Sequence, residues 1–259
     1  MNDPSEGCSI LGTKVAVLDY AGAVARAKAF ALEPDRVACI AAANTHMVAL
    51  ARHDPGFAAA LQRIDLILPD GMPLIWTMNR MLSEPLKDRV SGPTFMIRCL
   101  EETQGAEWTH ALVGGSDALL AELREKLVQK FPRLQIVAAI SPTFGEWAEL
   151  EDERIIAAIR ASGARFVWIG LGCPKQELWL SRNRDRLPPG VYSAVGAAFN
   201  FHAGRVRQAP AWMQRSGLEW VFRMCAEPRR LLRRYLVFNS LFLYYIVQEK
   251  LFPARNRAC

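Results

Sequence analysis

No Asp-x-Asp pair occurs in the 259 residues, so the usual two-carboxylate seat for a nucleotide-bound divalent metal is missing. The four histidines (His46, His53, His110 and His202) show neither an HExxH run nor any paired spacing, which sets zinc aside. His46 and His110 are best read as local structure. There is no GxSxG nucleophile turn, no GxGxxG and no GxxxxGK[ST], so neither a dinucleotide fingerprint nor a P-loop is present. The six cysteines are scattered without a CxxC pair, and Asp3 and Glu6 precede any apolar run, so no export signal is visible. Unpaired thiols without such a signal suit a reducing cytoplasm. The longest apolar stretch, Tyr235 to Val247, is broken by Asn239 and Ser240. It falls short of the roughly 20 residues a bilayer span needs.

What is present is enough for a buried core: 51% hydrophobic residues against 22% charged, which excludes a disordered chain. The charge is unevenly placed. Residues 205–259 hold ten Arg, Lys250 and three acids (Glu219, Glu227, Glu249), a balance of 11 − 3 = +8; the first 204 residues carry 21 − 23 = −2. A near-neutral body with a basic end points to a membrane surface or a phosphorylated ligand and argues against nucleic acid.

Short β-rich runs alternate with helical segments. Strands are predicted at Lys14–Leu18, Val37–Ala42, Leu66–Leu68, His110–Val113, Gln135–Ile140, Phe166–Ile169 and Val191–Val195, with helices such as Leu119–Lys130 and Glu149–Ala161 between them. Several strands are nearly continuous apolar runs, as parallel strands covered on both faces are. The pattern predicts an α/β, Rossmann-like, doubly wound and mainly parallel sheet over residues 1–204. Beyond Gly204 no strand follows. Helices are predicted over Ala211–Cys225 and from Pro228 onward, so residues 205–259 read as a basic, amphipathic helical appendage.

Five segments carry polar or glycine-rich chemistry. Leu68-Pro69-Asp70-Gly71 ends a strand with a carboxylate, where α/β sheets bind ligands. Asp70 there is either a general base for a hydroxyl or a plain cap on the helix that follows. Gly170-Leu171-Gly172-Cys173-Pro174-Lys175-Gln176 is either a phosphate- or sugar-binding strand end, with Lys175 and Gln176 as donors, or a tight structural turn. Gly114-Gly115-Ser116-Asp117 is a second strand-to-helix glycine turn, with a cap as its plainer reading. Val195-Gly196-Ala197-Ala198-Phe199-Asn200 closes the last strand with small residues, for a pocket or for close packing. Finally, Arg223, Arg230 and Arg233 stand at i, i+7 and i+10. They share a face if the helix runs unbroken through Pro228, and so grouped they suit a diphosphate. The apolar stripe Phe238, Leu241, Phe242, Tyr245 and Phe252 suits a membrane interface or ordinary docking on the core.

In order along the chain, several of these segments and others resemble the WecG/TagA/CpsF glycosyltransferase family. The match rests on Ala43-Asn44-Thr45, Asp54-Pro55-Gly56-Phe57, Leu68-Pro69-Asp70-Gly71, Arg89-Val90-Ser91-Gly92 and Gly172-Cys173-Pro174-Lys175-Gln176-Glu177. It continues in Ala209-Pro210-Ala211-Trp212-Met213, Gly217-Leu218-Glu219-Trp220 and Glu227-Pro228-Arg229-Arg230. The resemblance runs from about Val37 to Leu236. It implies an inverting, metal- and cofactor-independent transfer of a hexose or N-acetylhexosamine(-uronic acid) from a UDP-sugar to a polyprenyl-diphosphate-linked saccharide. The setting it implies is the cytoplasmic membrane face, in exopolysaccharide, capsule or wall-polymer synthesis. By the same resemblance Asp70 is the general base, Asn44 and Gln176 hold sugar, and Arg89 edges the pocket. Arg223, Arg230 and Arg233 close over the diphosphate. Gly114, Gly172 and Lys175, from the two glycine turns, are the further candidate substrate contacts. Three positions depart from the family pattern: Ala42 stands where a Thr is common, Gln208 where an Arg is, and Asn200 where an acid often follows. These departures keep alive a rival reading, a catalytically silent nucleotide-sugar-binding subunit of a polysaccharide assembly complex. A nicotinamide-dependent oxidoreductase fits the fold class but lacks the glycine fingerprint.

Overall fold

In the central strands, alternate side chains fall into two different cores, one on each face of a sheet. Cys39, Ala41, Val167, Ile169, Tyr192 and Ala194 point to one side, while Ala38, Ile40, Phe166, Trp168 and Val191 point to the other. This is why the runs read as unbroken apolar stretches: neither face meets water. The computed structural model describes residues 7–143 and 149–251, without the side chains of Glu149, Arg230, Arg234 and Lys250.

The elements follow as β1 (Gly7–Ile10), β2 (Thr13–Ala16), α1 (Tyr20–Leu32), β3 (Val37–Ala43), α2 (Thr45–His53), α3 (Pro55–Leu61), β4 (Leu66–Pro69), α4 (Met72–Met78) and α5 (Gly92–Glu102). Then come β5 (Thr109–Val113), α6 (Asp117–Lys130), β6 (Gln135–Ile140), α7 (Glu149–Ser162), β7 (Phe166–Ile169), α8 (Lys175–Asn183), β8 (Gly190–Ala194) and α9 (Ala198–His202). Three helices close the chain: α10 (Ala211–Arg215), α11 (Glu219–Ala226) and α12 (Pro228–Leu251). Six strands form one sheet in the order β4-β3-β8-β7-β5-β6, every pairing parallel. The fold is thus α/β and Rossmann-like, with β3 and β8 side by side although far apart in sequence. Their carboxyl ends open the crevice in which such sheets bind ligands.

Two expectations are corrected. The run predicted at Lys14–Leu18 is not part of the parallel sheet; β2 pairs antiparallel with β1 in a separate hairpin. Leu11 (φ 51°) and Gly12 (φ 86°) form its two-residue turn, the geometry that matches the twist of paired strands. The helix predicted over Ala211–Cys225 is broken into α10 and α11 at Gly217, whose φ of 72° a side-chain-bearing residue rarely adopts. A Cβ at Gly217 would also lie 2.8 Å from the Trp76 ring.

The last helix is docked rather than free. α12 lies along α2, His46 meets the Phe238 ring edge-on at 4.5 Å, and Leu231, Tyr235 and Phe242 are buried. The second histidine predicted to be structural, His110, is sealed in the other core. Trp168 Nε1–H donates to its Nδ1 at 3.2 Å, and burial pushes its pKa down to about 4, so the ring is neutral.

Gly114 ends β5 with φ 125°, and a Cβ there would stand 2.8 Å from the backbone of Gly170 beside it. Gly114→Ala is therefore expected to cost about 3 kcal/mol or more, from backbone strain and overpacking together. Thermal unfolding measures this directly; an unchanged melting temperature would show that the two strand ends part freely.

Candidate active site

Each parallel strand delivers its next residue to the same edge of the sheet. Asn44 follows β3, Asp70 follows β4, Gly170–Gly172 follow β7 and Val195–Gly196 follow β8. The Asp70 N–H donates to the Ala43 carbonyl at 2.7 Å, which sets Asp70 beside Asn44. Above them lies a cleft of about 630 Å³ whose walls include Asn44, Asp70, Arg89, Gly172, Gln176 and Arg223. Its far side comes from α11 and α12.

Asp70 does not cap the helix that follows it. α4 has Gly71 as its N-cap, with no side-chain cap bond, whereas Asp70 Oδ2 accepts the Gly92 N–H at the start of α5 at 3.3 Å. Its other oxygen lies 3.8 Å from Arg89 Nη1, and a fifth of its side chain stays open to the cleft. Burial pushes its pKa from 3.8 up to about 6; Arg89, the Gly92 N–H and Arg223 pull it down, and Glu219 adds to the rise. A carboxylate tuned this way is half-protonated near pH 6 and accepts a proton more readily than an ordinary Asp.

Arg89 is buried and shared. Its guanidinium forms a close ion pair with Glu219 of α11, donates to Gln214 Oε1 of α10 at 3.1 Å, and faces Asp70. Glu219 and Gln214 therefore latch the C-terminal helices onto the sheet edge. The sequence offered a signal for them in the Gly217-Leu218-Glu219-Trp220 segment, but nothing local tied that segment to Arg89. Because Glu219 competes for Arg89 and adds negative charge near Asp70, Glu219→Gln is expected to lower the pKa of Asp70. The titration midpoint of the Asp70 carboxyl, followed by NMR, should move below about 6, and an unmoved midpoint would break the link.

Gln176 is buried and largely committed within the chain. Its Oε1 accepts both the Gly172 and the Gly196 N–H at 3.1 Å each, and Nε2 donates to Glu177 Oε1 at 2.7 Å. Two backbone donors on one atom identify that atom as the oxygen. Gln176 thus ties the β7 and β8 ends together and keeps one amide N–H for a ligand. Asn44 has a comparable double duty: its Oδ1 caps α2 by accepting the Met47 N–H at 3.2 Å.

The remaining predicted residues separate. Gly172 lines the cleft, whereas Lys175 is exposed outside its walls and Gly114 is packed against Gly170 beneath it. The arginine row does not form, since α11 ends before Glu227, whose ψ of 59° breaks the helix. Arg223 lines the cleft with its guanidinium 5.4 Å over the Phe201 ring, and its Nε is buried with no partner among the described residues. Arg233 is exposed outside the cleft walls, and the Arg230 side chain lies outside the described residues. Ala42, Asn200 and Gln208, the three departures, all line the cleft.

A parallel α/β sheet with a carboxylate and arginines at its carboxyl edge forms a ligand-binding cleft. The model of the glycosyl transferase WecG/TagA/CpsF family matches residues 8–256, and the chain belongs to that family. A curated relative from Bacillus spizizenii is 28% identical over 200 residues, covering 77% of this chain and 75% of the relative. That relative is an N-acetylglucosaminyldiphosphoundecaprenol N-acetyl-beta-D-mannosaminyltransferase. Among the described residues no helix is long and apolar enough to cross a membrane.

Proposed function

We propose that this chain moves a sugar from a UDP-sugar to a polyprenyl-diphosphate-linked saccharide, with inversion and without a metal, at the cytoplasmic membrane face. The observation that carries the reading is Asp70: a cleft carboxylate, free of the helix behind it, tuned to about 6 and faced by Arg89 and Arg223. In the reaction, an acceptor hydroxyl oxygen attacks the anomeric carbon opposite the leaving UDP. The hydroxyl proton passes to Asp70, the bond from carbon to UDP oxygen breaks, and the charge left on the diphosphate meets Arg223. One displacement inverts the carbon. Asn44 and the remaining Gln176 N–H hold sugar hydroxyls.

The relative's lipid-linked acceptor supports the acceptor class. Residues from 205 onward act as lid and membrane contact. In support, Leu232, Leu236, Val247 and Leu251 are exposed on α12 together with Arg229 and Arg233. Such a helix lies in an interface rather than through it. With Ala42, Asn200 and Gln208 in the cleft wall, the donor pocket differs from that of the common family pattern, so the donor is to be read from a panel rather than copied from the relative.

The test measures UDP release from a panel of UDP-sugars with a short-chain polyprenyl-diphosphate saccharide and EDTA present. Acceptor-dependent, EDTA-resistant release is expected. Binding of UDP without release from any donor would favour the silent-subunit reading.

A further inference from the structure

The cleft has two halves of opposite character. The inner half, at the sheet edge, is polar: Asn44, Asp70, Arg89, Asn200, Gln208 and Arg223. The outer half runs between α4 and α12. Met72, Pro73 and Trp76 line one side, and Leu231, Tyr235, Phe242, Leu243 and Ile246 line the other. The α12 residues stand at i, i+4, i+11, i+12 and i+15, one stripe of a helix, which at 1.5 Å per residue extends roughly 22 Å.

Two hydroxyls of this outer half are already bonded within the chain, while Arg80, also in the wall, is exposed. Thr77 Oγ1 donates to the Pro73 carbonyl of its own helix at 2.9 Å. Thr45 Oγ1 donates to Asn239 Oδ1 at 2.8 Å. A saccharide subsite needs a dense set of donors and acceptors, whereas most of the lining here is hydrocarbon or aromatic. An apolar chain needs only the area. Leu243 and Trp76 nevertheless remain 64% and 48% exposed, so the groove presents apolar surface that the chain itself does not cover.

We infer that this outer groove holds the first isoprene units of the lipid acceptor, with Trp76 and Leu243 as its rim. The inference rests on the reaction proposed above and specifies where the hydrocarbon leaves the site. The groove is continuous with the polar half, so one amphiphile can place its saccharide beside Asp70 and its chain along α12. It also opens beside the exposed apolar residues of the same helix, from which a membrane-embedded chain would enter.

The experiment titrates the full chain by calorimetry with geranyl, farnesyl and geranylgeranyl diphosphate, each below its micelle concentration. Affinity should rise about 10- to 100-fold for each isoprene unit that enters fully, then level off once the chain outgrows the groove. The Trp76→Ala/Leu243→Gln double variant should flatten that rise. A Leu236→Gln/Val247→Gln variant changes exposed apolar residues of α12 outside the cleft walls and should preserve it. Affinity independent of chain length in the unaltered protein would overturn the inference, as would equal flattening by both variants, which is the signature of unspecific partition. Chain-length-dependent binding together with failure of sugar transfer from every donor would instead keep the groove and remove the proposed reaction.

Discussion

Replacing Asp70 with Asn should slow sugar transfer by about 10²–10⁴-fold, the range general base catalysis contributes. Asn preserves the shape of the side chain and a carbonyl oxygen for the Gly92 N–H, so the loss reports the proton acceptor and not the cap on α5. In the unaltered protein, kcat/KM should rise with pH and level off above about 6, where Asp70 becomes a carboxylate. The variant should lose that limb. The same substitution has a stability consequence of opposite sign. Folding raises the pKa of Asp70 from 3.8 to about 6, so between those values the folded state binds more protons and native stability falls as pH rises. An Asn has no such penalty. The variant is expected to be more stable near pH 7, by an amount of order 2–3 kcal/mol, and to show no gain below about pH 4. Denaturant unfolding at the two pH values checks this. A variant that is slow but gains no stability would mean that Arg89 already compensates the buried charge.

Arg223→Gln is expected to lower kcat by about 10²–10³-fold, comparable with removing one preorganised donor from a developing oxyanion. Its Nε is buried without a partner among the described residues, and such a donor costs stability unless a ligand meets it. Inorganic diphosphate should therefore raise the melting temperature of the unaltered protein and do so less in the variant. Normal turnover in Arg223→Gln would remove it from the leaving-group site. Deleting everything after Gly204 should also abolish turnover. That deletion is the blunter test, because it strips α12 from α2 and removes Glu219 and Gln214 from Arg89. The point variant separates chemistry from docking.

Much of this was legible in the amino-acid order because it depends on short-range physics. Apolar runs of four to seven residues, each followed by a polar or glycine turn, suffice for a parallel sheet covered on both faces. They also suffice to place Asn44 and Asp70 at its carboxyl edge, since a residue that directly follows a strand has nowhere else to go. The ordered motifs specified the family for the same reason: each is a local turn with its own chemistry. Tertiary structure decided everything that depends on partners. Whether Asp70 caps its own helix or another, 22 residues on, was settled by where α5 begins. Gln176 looked like a free sugar ligand until two glycine N–H groups from different strand ends met its oxygen. The arginine row failed at one backbone angle, at Glu227, which periodicity does not encode. Arg89 and Glu219 are 130 residues apart, and only the docking of the last three helices on the sheet joins them. Local pattern thus set the scaffold and the position of the carboxylate, whereas the pKa of that carboxylate, and the groove beside it, exist only because distant segments pack around it.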